Sequence, residues 1–141
     1  MRPFRLRVLV LLSVAGAITA CGERRESGPP HPRTAIEASK TFPENYEVII
    51  NEAWSADSLA VGALFGFEDQ GAFTGKAAQE HREVLWAVLQ HIGDGRFASI
   101  ARPENSRIRG VVLRALEQAS GGKIDARFPK TAAALASLGA P

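Results

Sequence analysis

The chain reads as an all-α protein, a single small domain of five or six short helices, with stacked helical hairpins as one arrangement open to it. Three observations predict this. Apolar residues recur at helical spacing in successive segments, glycine and proline punctuate the ends of those segments, and no stretch shows strand alternation bounded by turns.

Thr34-Ala35-Ile36-Glu37 has the form of a capping box, with Thr34 at a helix start and Glu37 reaching back. Pro43 keeps this first helix short. Thr41-Phe42-Pro43-Glu44 offers a second start, after which Tyr46, Ile49, Ile50 and Ala53 fall at helical spacing with Trp54 beside them. Ser55-Ala56-Asp57 can cap a third helix through Leu59, Leu64 and Phe65. Its Gly62 and Gly66 each cost roughly 1 kcal/mol relative to Ala, and they suit close helix packing. A loop at Asp69-Gln70-Gly71 ends it.

Thr74 can begin the strongest helix, in which Val84, Leu85, Val88, Leu89 and Ile92 form one apolar stripe opposite Glu80, Glu83 and Gln90. Gly93 supplies its stop. Asp94 is placed to cap a short turn carrying Phe97 and Ile100. Pro103-Glu104 suits the first turn of the next helix, whose stripe is Ile108, Val111, Val112, Ala115, Leu116 and Ala119. Ser120-Gly121-Gly122 stops that helix, and a final one runs through Thr131 to Leu138. Asp94-Gly95-Arg96-Phe97 and Asp125-Ala126-Arg127-Phe128 share a D-x-R-F pattern, either as coincidence or as the trace of a helical repeat.

Ahead of these elements stand two segments of another kind. Arg2, Arg5 and Arg7 precede Val8-Leu9-Val10-Leu11-Leu12-Ser13-Val14-Ala15-Gly16-Ala17-Ile18, a basic region followed by a short apolar run. That order is the order of a secretory signal, and the run is shorter than the roughly 20 residues needed to span a bilayer. Small residues follow in Ile18-Thr19-Ala20-Cys21-Gly22. This string resembles the lipobox of bacterial lipoproteins, in which an aliphatic residue and two small residues precede a cysteine. The resemblance covers about residues 1–22. It implies cleavage before Cys21, lipid on the Cys21 thiol and attachment to a membrane. Family members retained at the inner membrane often carry Asp after the cysteine, so Gly22 points to the outer membrane, facing the periplasm. The alternative is an ordinary signal peptide with Cys21 as a free thiol. Residues 1–20 are thus expected to be a signal peptide, 21–33 a lipidated flexible tether and 34–141 a helical domain. Gly22 to Arg33 holds three prolines, mixed charges and no large apolar residue, a composition that cannot bury enough surface to fold.

Charge changes meaning under that division. The whole chain has 17 basic and 15 acidic side chains. Loss of Arg2, Arg5 and Arg7 with the signal leaves 14 against 15, a net of −1. Nucleic acid binding, which needs a basic face, loses its main support. What remains is asymmetric. Nine acids face three bases from Glu37 to Glu83, and eight bases face three acids from Arg96 to Lys130. Such asymmetry either steers a charged partner or lets the two halves attract one another. The roughly 105 residues beyond the tether suffice for one modest core.

Catalytic patterns are missing. Cys21 is the sole cysteine, so no disulfide can form within the chain, and acylation takes its thiol out of redox chemistry. His81 and His91 lie ten residues apart on one helix and so point in different directions. No HExxH occurs, and no metal site or other cofactor is expected. His91, near the helix end, suits the helix dipole. Gly71 to Ala77 lacks the spacing of a phosphate loop, and no G-x-S-x-G or S-x-x-K occurs. Glu68, Asp69 and Glu80 are the acids a glycan hydrolase could use, and such an enzyme would gather them in a cleft with one raised pKa. Trp54 and Phe67 would be anchors for a protein partner if exposed, and core residues if not.

These readings favour a non-enzymatic envelope lipoprotein with a binding, inhibitor or immunity-type, or assembly role. Its partners would be the membrane, through Cys21, and an envelope protein. A hydrolase acting on peptidoglycan or another glycan is the alternative, and a purely structural lipoprotein a third.

Overall fold

The structure, a computed structural model, describes residues 28–137, so Ile18, Thr19, Ala20, Cys21 and the rest of the signal and early tether lie outside the described residues. Seven α-helices follow in order: α1 Arg33–Ala38, α2 Tyr46–Trp54, α3 Ser58–Asp69, α4 Gly75–Ile92, α5 Asp94–Ala101, α6 Ser106–Ser120 and α7 Pro129–Ala136. A 3-10 turn, Ser39–Thr41, extends α1, and no strand occurs among the described residues. The all-α expectation holds.

Local chemistry fixes most helix ends. Asn45, Asp57 and Asn105 each accept a hydrogen bond from the backbone amide three residues on, those of Val48, Ala60 and Ile108, at 3.2, 2.9 and 2.9 Å. Each thereby satisfies one of the unpaired amides of a helix start. At the other ends, Gly93 (φ 87°) and Gly121 (φ 78°) take backbone conformations that an L side chain disfavours, closing α4 and α6.

Three expected starts move. α2 begins at Tyr46 behind Asn45, not at Thr41-Phe42-Pro43-Glu44, because Phe42 is extended (ψ 150°) and the asparagine supplies the cap. α6 begins at Ser106 behind Asn105 rather than at Pro103-Glu104 for the same reason. No capping box forms in α1. Pro32 holds the cap position, Thr34 lies inside the helix, and Glu37 pairs with Lys40. The amides of Thr34 and Ala35 donate instead to Glu80 on α4, at 2.8 and 2.9 Å. Asp94 acts in the same way. Its carboxylate accepts from the amides of Lys130 and Thr131 at 2.9 and 2.7 Å, so the residue that opens α5 caps α7. Carboxylates from inner helices therefore cap the first and last helices of the described domain.

α4 is the long central element. Val84, Leu85, Val88 and Leu89 are buried on one face, against α6 on one side and α1, α2, α3 and α5 on others. α7 lies across α5 and α6, and α2 packs along α3. Tyr46, Ile50, Leu64, Phe65, Leu85, Leu89, Phe97, Leu116 and Ile124 form the largest fully buried side chains. Each such apolar side chain contributes about 1.5–3 kcal/mol over an exposed one. The glycines of α3 are not packing contacts. A Cβ on Gly62 would make an ordinary contact with the Glu104 side chain at 3.7 Å, and one on Gly66 would meet nothing within 4 Å. The D-x-R-F echo is not a structural repeat, since the first copy opens α5 and the second forms a turn before α7.

Candidate functional site

The sequence-predicted site residues divide between core and surface, with Phe67, Glu68 and Glu80 gathered near Tyr46. Phe67 is 9% exposed, so the structure places it in the core rather than at a partner surface. It stacks on Phe42, with ring centroids 5.6 Å apart, and meets Tyr46 edge-on at 5.6 Å. Trp54 is half-buried, and the His91 ring lies parallel to it with centroids 3.8 Å apart. One face of the indole is thus already covered. His91 is exposed in the last turn of α4 while His81 is fully buried, so the two do point apart.

Acids that a hydrolase could use are already partnered. Glu68 accepts from Arg82 Nε at 3.0 Å. Asp69 Oδ1 lies 2.9 Å from Arg107 Nε, a charge contact without the alignment of a hydrogen bond. Glu80, expected on the solvated face of α4, is turned onto α1. Desolvation pushes its pKa up, but the amides of Ala35 and Thr34, with Lys76 nearby, outweigh that and hold the carboxyl below the usual range. Asp94 follows the same balance: burial raises it, and the α7 amides, the Thr131 hydroxyl and Lys130 bring it below. Neither is the raised-pKa acid that general-acid catalysis favours.

The core also holds a polar pair that no sequence motif marks. Tyr46 Oη and His81 Nδ1 are 2.7 Å apart, and His81 Nε2 is 3.1 Å from the Leu64 carbonyl oxygen. A carbonyl only accepts, so Nε2 carries the hydrogen and Nδ1 accepts from the phenol. Every hydrogen-bonding atom of the neutral imidazole is satisfied. Phe67 and Phe73 pack around it, the latter with ring centroids 5.0 Å apart. Burial pushes the His81 pKa down to about 4; the Leu64 bond opposes that shift and the Arg82 charge adds to it. Burial, with the charges of Glu80 and Glu68, raises Tyr46 well above the usual phenol range. The signal was present in the sequence: His81 precedes Val84 and Leu85 by three and four residues, which sets it on their buried stripe.

A different feature breaks the usual pattern at the surface. Among the described residues the exposed large hydrophobics are Val48, 46% exposed, and Leu59, 86% exposed. Both line one open groove of about 740 Å³ beside the α2–α3 connection, together with Asn51, Glu52, Asp57 and Arg96. The backbone of that connection is strained. Ala56 has φ 62°, a left-handed conformation costing a non-glycine residue roughly 1–2 kcal/mol. Arg96 of α5 braces it, donating from Nη2 to the Ala56 carbonyl at 2.9 Å and to Ser58 Oγ at 3.0 Å. Replacing Ala56→Gly is expected to raise stability by about 0.5–1 kcal/mol, because glycine adopts this φ without the Cβ clash. Chemical denaturation checks this, and a destabilised variant would show that Ala56 is unstrained.

The two halves of the charge asymmetry barely neutralise one another. Among the described residues, one side-chain ion pair, Arg107 to Asp69, joins the Glu37–Glu83 segment to the Arg96–Lys130 segment. No helix among the described residues is long and apolar enough to cross a membrane, and none of their His, Cys, Asp and Glu side chains form a group of three fit for a metal ion. Compared with protein-family models, curated proteins and solved structures, the chain matches none.

Proposed function

We propose that this chain is an envelope lipoprotein, lipidated at Cys21, whose helical domain binds a protein partner in an inhibitor, immunity-type or assembly role. The observation that carries the binding role is the convergence of Val48 and Leu59 on a single groove. Scattered exposed apolar residues are ordinary on a protein surface, but here the two largest exposures face the same open space. The carboxylates a hydrolase would need are meanwhile held by helix amides or arginines.

Anchoring rests on the lipobox-like string Ile18-Thr19-Ala20-Cys21. Diacylation holds a protein at a bilayer firmly, where a single chain holds it only marginally. Outer-membrane placement, facing the periplasm, follows from the resemblance and Gly22.

Cell fractionation with radiolabelled palmitate tests the anchor. The expected result is a labelled chain in the membrane fraction, and an unlabelled, soluble chain for Cys21→Ser. A wild-type chain that stays soluble and unlabelled would overturn the lipoprotein reading.

A further inference from the structure

Resting on the binding role above, we propose that the α2–α3 groove receives a segment of another protein that combines aliphatic side chains with Lys or Arg. Residues 41–75, which contain all of α2 and α3, include Glu44, Glu47, Glu52, Asp57, Glu68 and Asp69 and not one Lys or Arg. Glu52 is exposed in the groove wall and makes no ion pair among the described residues. Asp57 lines the same wall, with its carboxylate accepting from the Ala60 amide at the start of α3. Arg96 is the groove's one cation, and it faces the Ala56 carbonyl and Ser58 hydroxyl, neutral acceptors, as a brace. Leu59 therefore shares its groove with an exposed carboxylate, Glu52, that makes no ion pair among the described residues.

Each competing occupant fails on this chemistry. An anionic lipid surface would bring like charge against Glu52 and Asp57. A second copy docking through the same groove would oppose acid to acid. A second copy docking through its basic half would offer arginines and lysines but no exposed large apolar side chain, since Val48 and Leu59 are the ones exposed among the described residues. A separate protein carrying both kinds of side chain meets both features. The apolar contact supplies the anchor, and the charge sets register and speeds encounter.

The test places a photoreactive residue, Leu59→p-benzoylphenylalanine, in the full-length chain within the cells that make it. Irradiation is expected to crosslink a different protein at a segment carrying Lys or Arg beside aliphatic residues. Adding Glu52→Lys is expected to lower the yield about tenfold while leaving the thermal melt of the purified domain unchanged. Crosslinks to a second copy, to lipid or to an acidic segment would overturn the proposal, as would a yield indifferent to Glu52→Lys. A second probe, Arg114→p-benzoylphenylalanine on the exposed face of α6, distinguishes failure of the groove from failure of the binding role. A protein captured from Arg114 but not from Leu59 would refute the groove and leave the binding role standing. Capture from neither position would refute both.

Discussion

Lowering the pH from 7 to 4 is expected to remove about 3 kcal/mol of folding stability through His81 alone. In the folded domain this imidazole is fully buried with its pKa pushed down to about 4, against an ordinary 6.5. Below pH 6.5 the unfolded chain takes up a proton there that the folded chain refuses. Stability is therefore intact above pH 6.5 and lost progressively as the pH falls toward 4, at 1.36 kcal/mol per unit of separation. Against a total of roughly 5–15 kcal/mol for a domain, that loss is large. Glu80 and Asp94, both held below the usual carboxylate range, act in the same direction. Their stabilising contributions are present above the unfolded values and disappear as the pH passes through the folded ones. His81→Gln separates the contributions. The amide can accept from Tyr46 and donate to Leu64 without titrating, so urea midpoints of this variant should vary much less between pH 7 and pH 4. Parallel pH profiles for the variant and wild type would rule out His81 as the cause.

Removing the carboxylate in Asp94→Ala is expected to cost about 2 kcal/mol, the upper part of the range for lost helix caps, because two amides and not one lose their acceptor. For a domain of this size that corresponds to a fall of about 10 °C in Tm. Hydrogen exchange locates the damage. The Lys130 and Thr131 amides should exchange faster, and protection along α7 should fall before that of α4. Asp94→Asn keeps an acceptor but loses the charge, and is expected to fall between Ala and wild type. A melt for Asp94→Ala that coincides with wild type would show that α7 is held without the carboxylate, by its buried Ala134 and Leu135 and by the Thr131 hydroxyl bond to the residue-94 carbonyl.

These carboxylates also explain where the sequence stops being readable. The stripes of α4 and α6 are legible because their periodicity is local, and the glycine stops at Gly93 and Gly121 require only a backbone preference. Helix starts are less so. The Thr34–Glu37 pattern satisfies every local rule for a capping box, yet Glu80, 46 residues away, occupies the amide of Thr34. Asp94 fits a local cap equally well and reaches 36 residues forward instead. Competition between a near and a distant acceptor is decided by packing, which no window of sequence contains. The candidate site has the same character. Phe67 and Leu59 sit on one helix as comparably apolar residues, and only the placement of α2, α4, α5 and α6 around α3 buries the first and exposes the second. His81 was readable from its register on the stripe, whereas its partner Tyr46 comes from another helix.

The Glu80 clasp at the start of α1 has a mechanical consequence. A pull on the chain ahead of residue 28 passes an exposed contact between His31 and Glu47 and then reaches α1, a six-residue helix that would peel readily by itself. Two charge-assisted bonds tie its leading amides directly to α4, the longest element and the one buried on most sides. Load entering from that end is therefore passed to the centre of the domain instead of unzipping its edge.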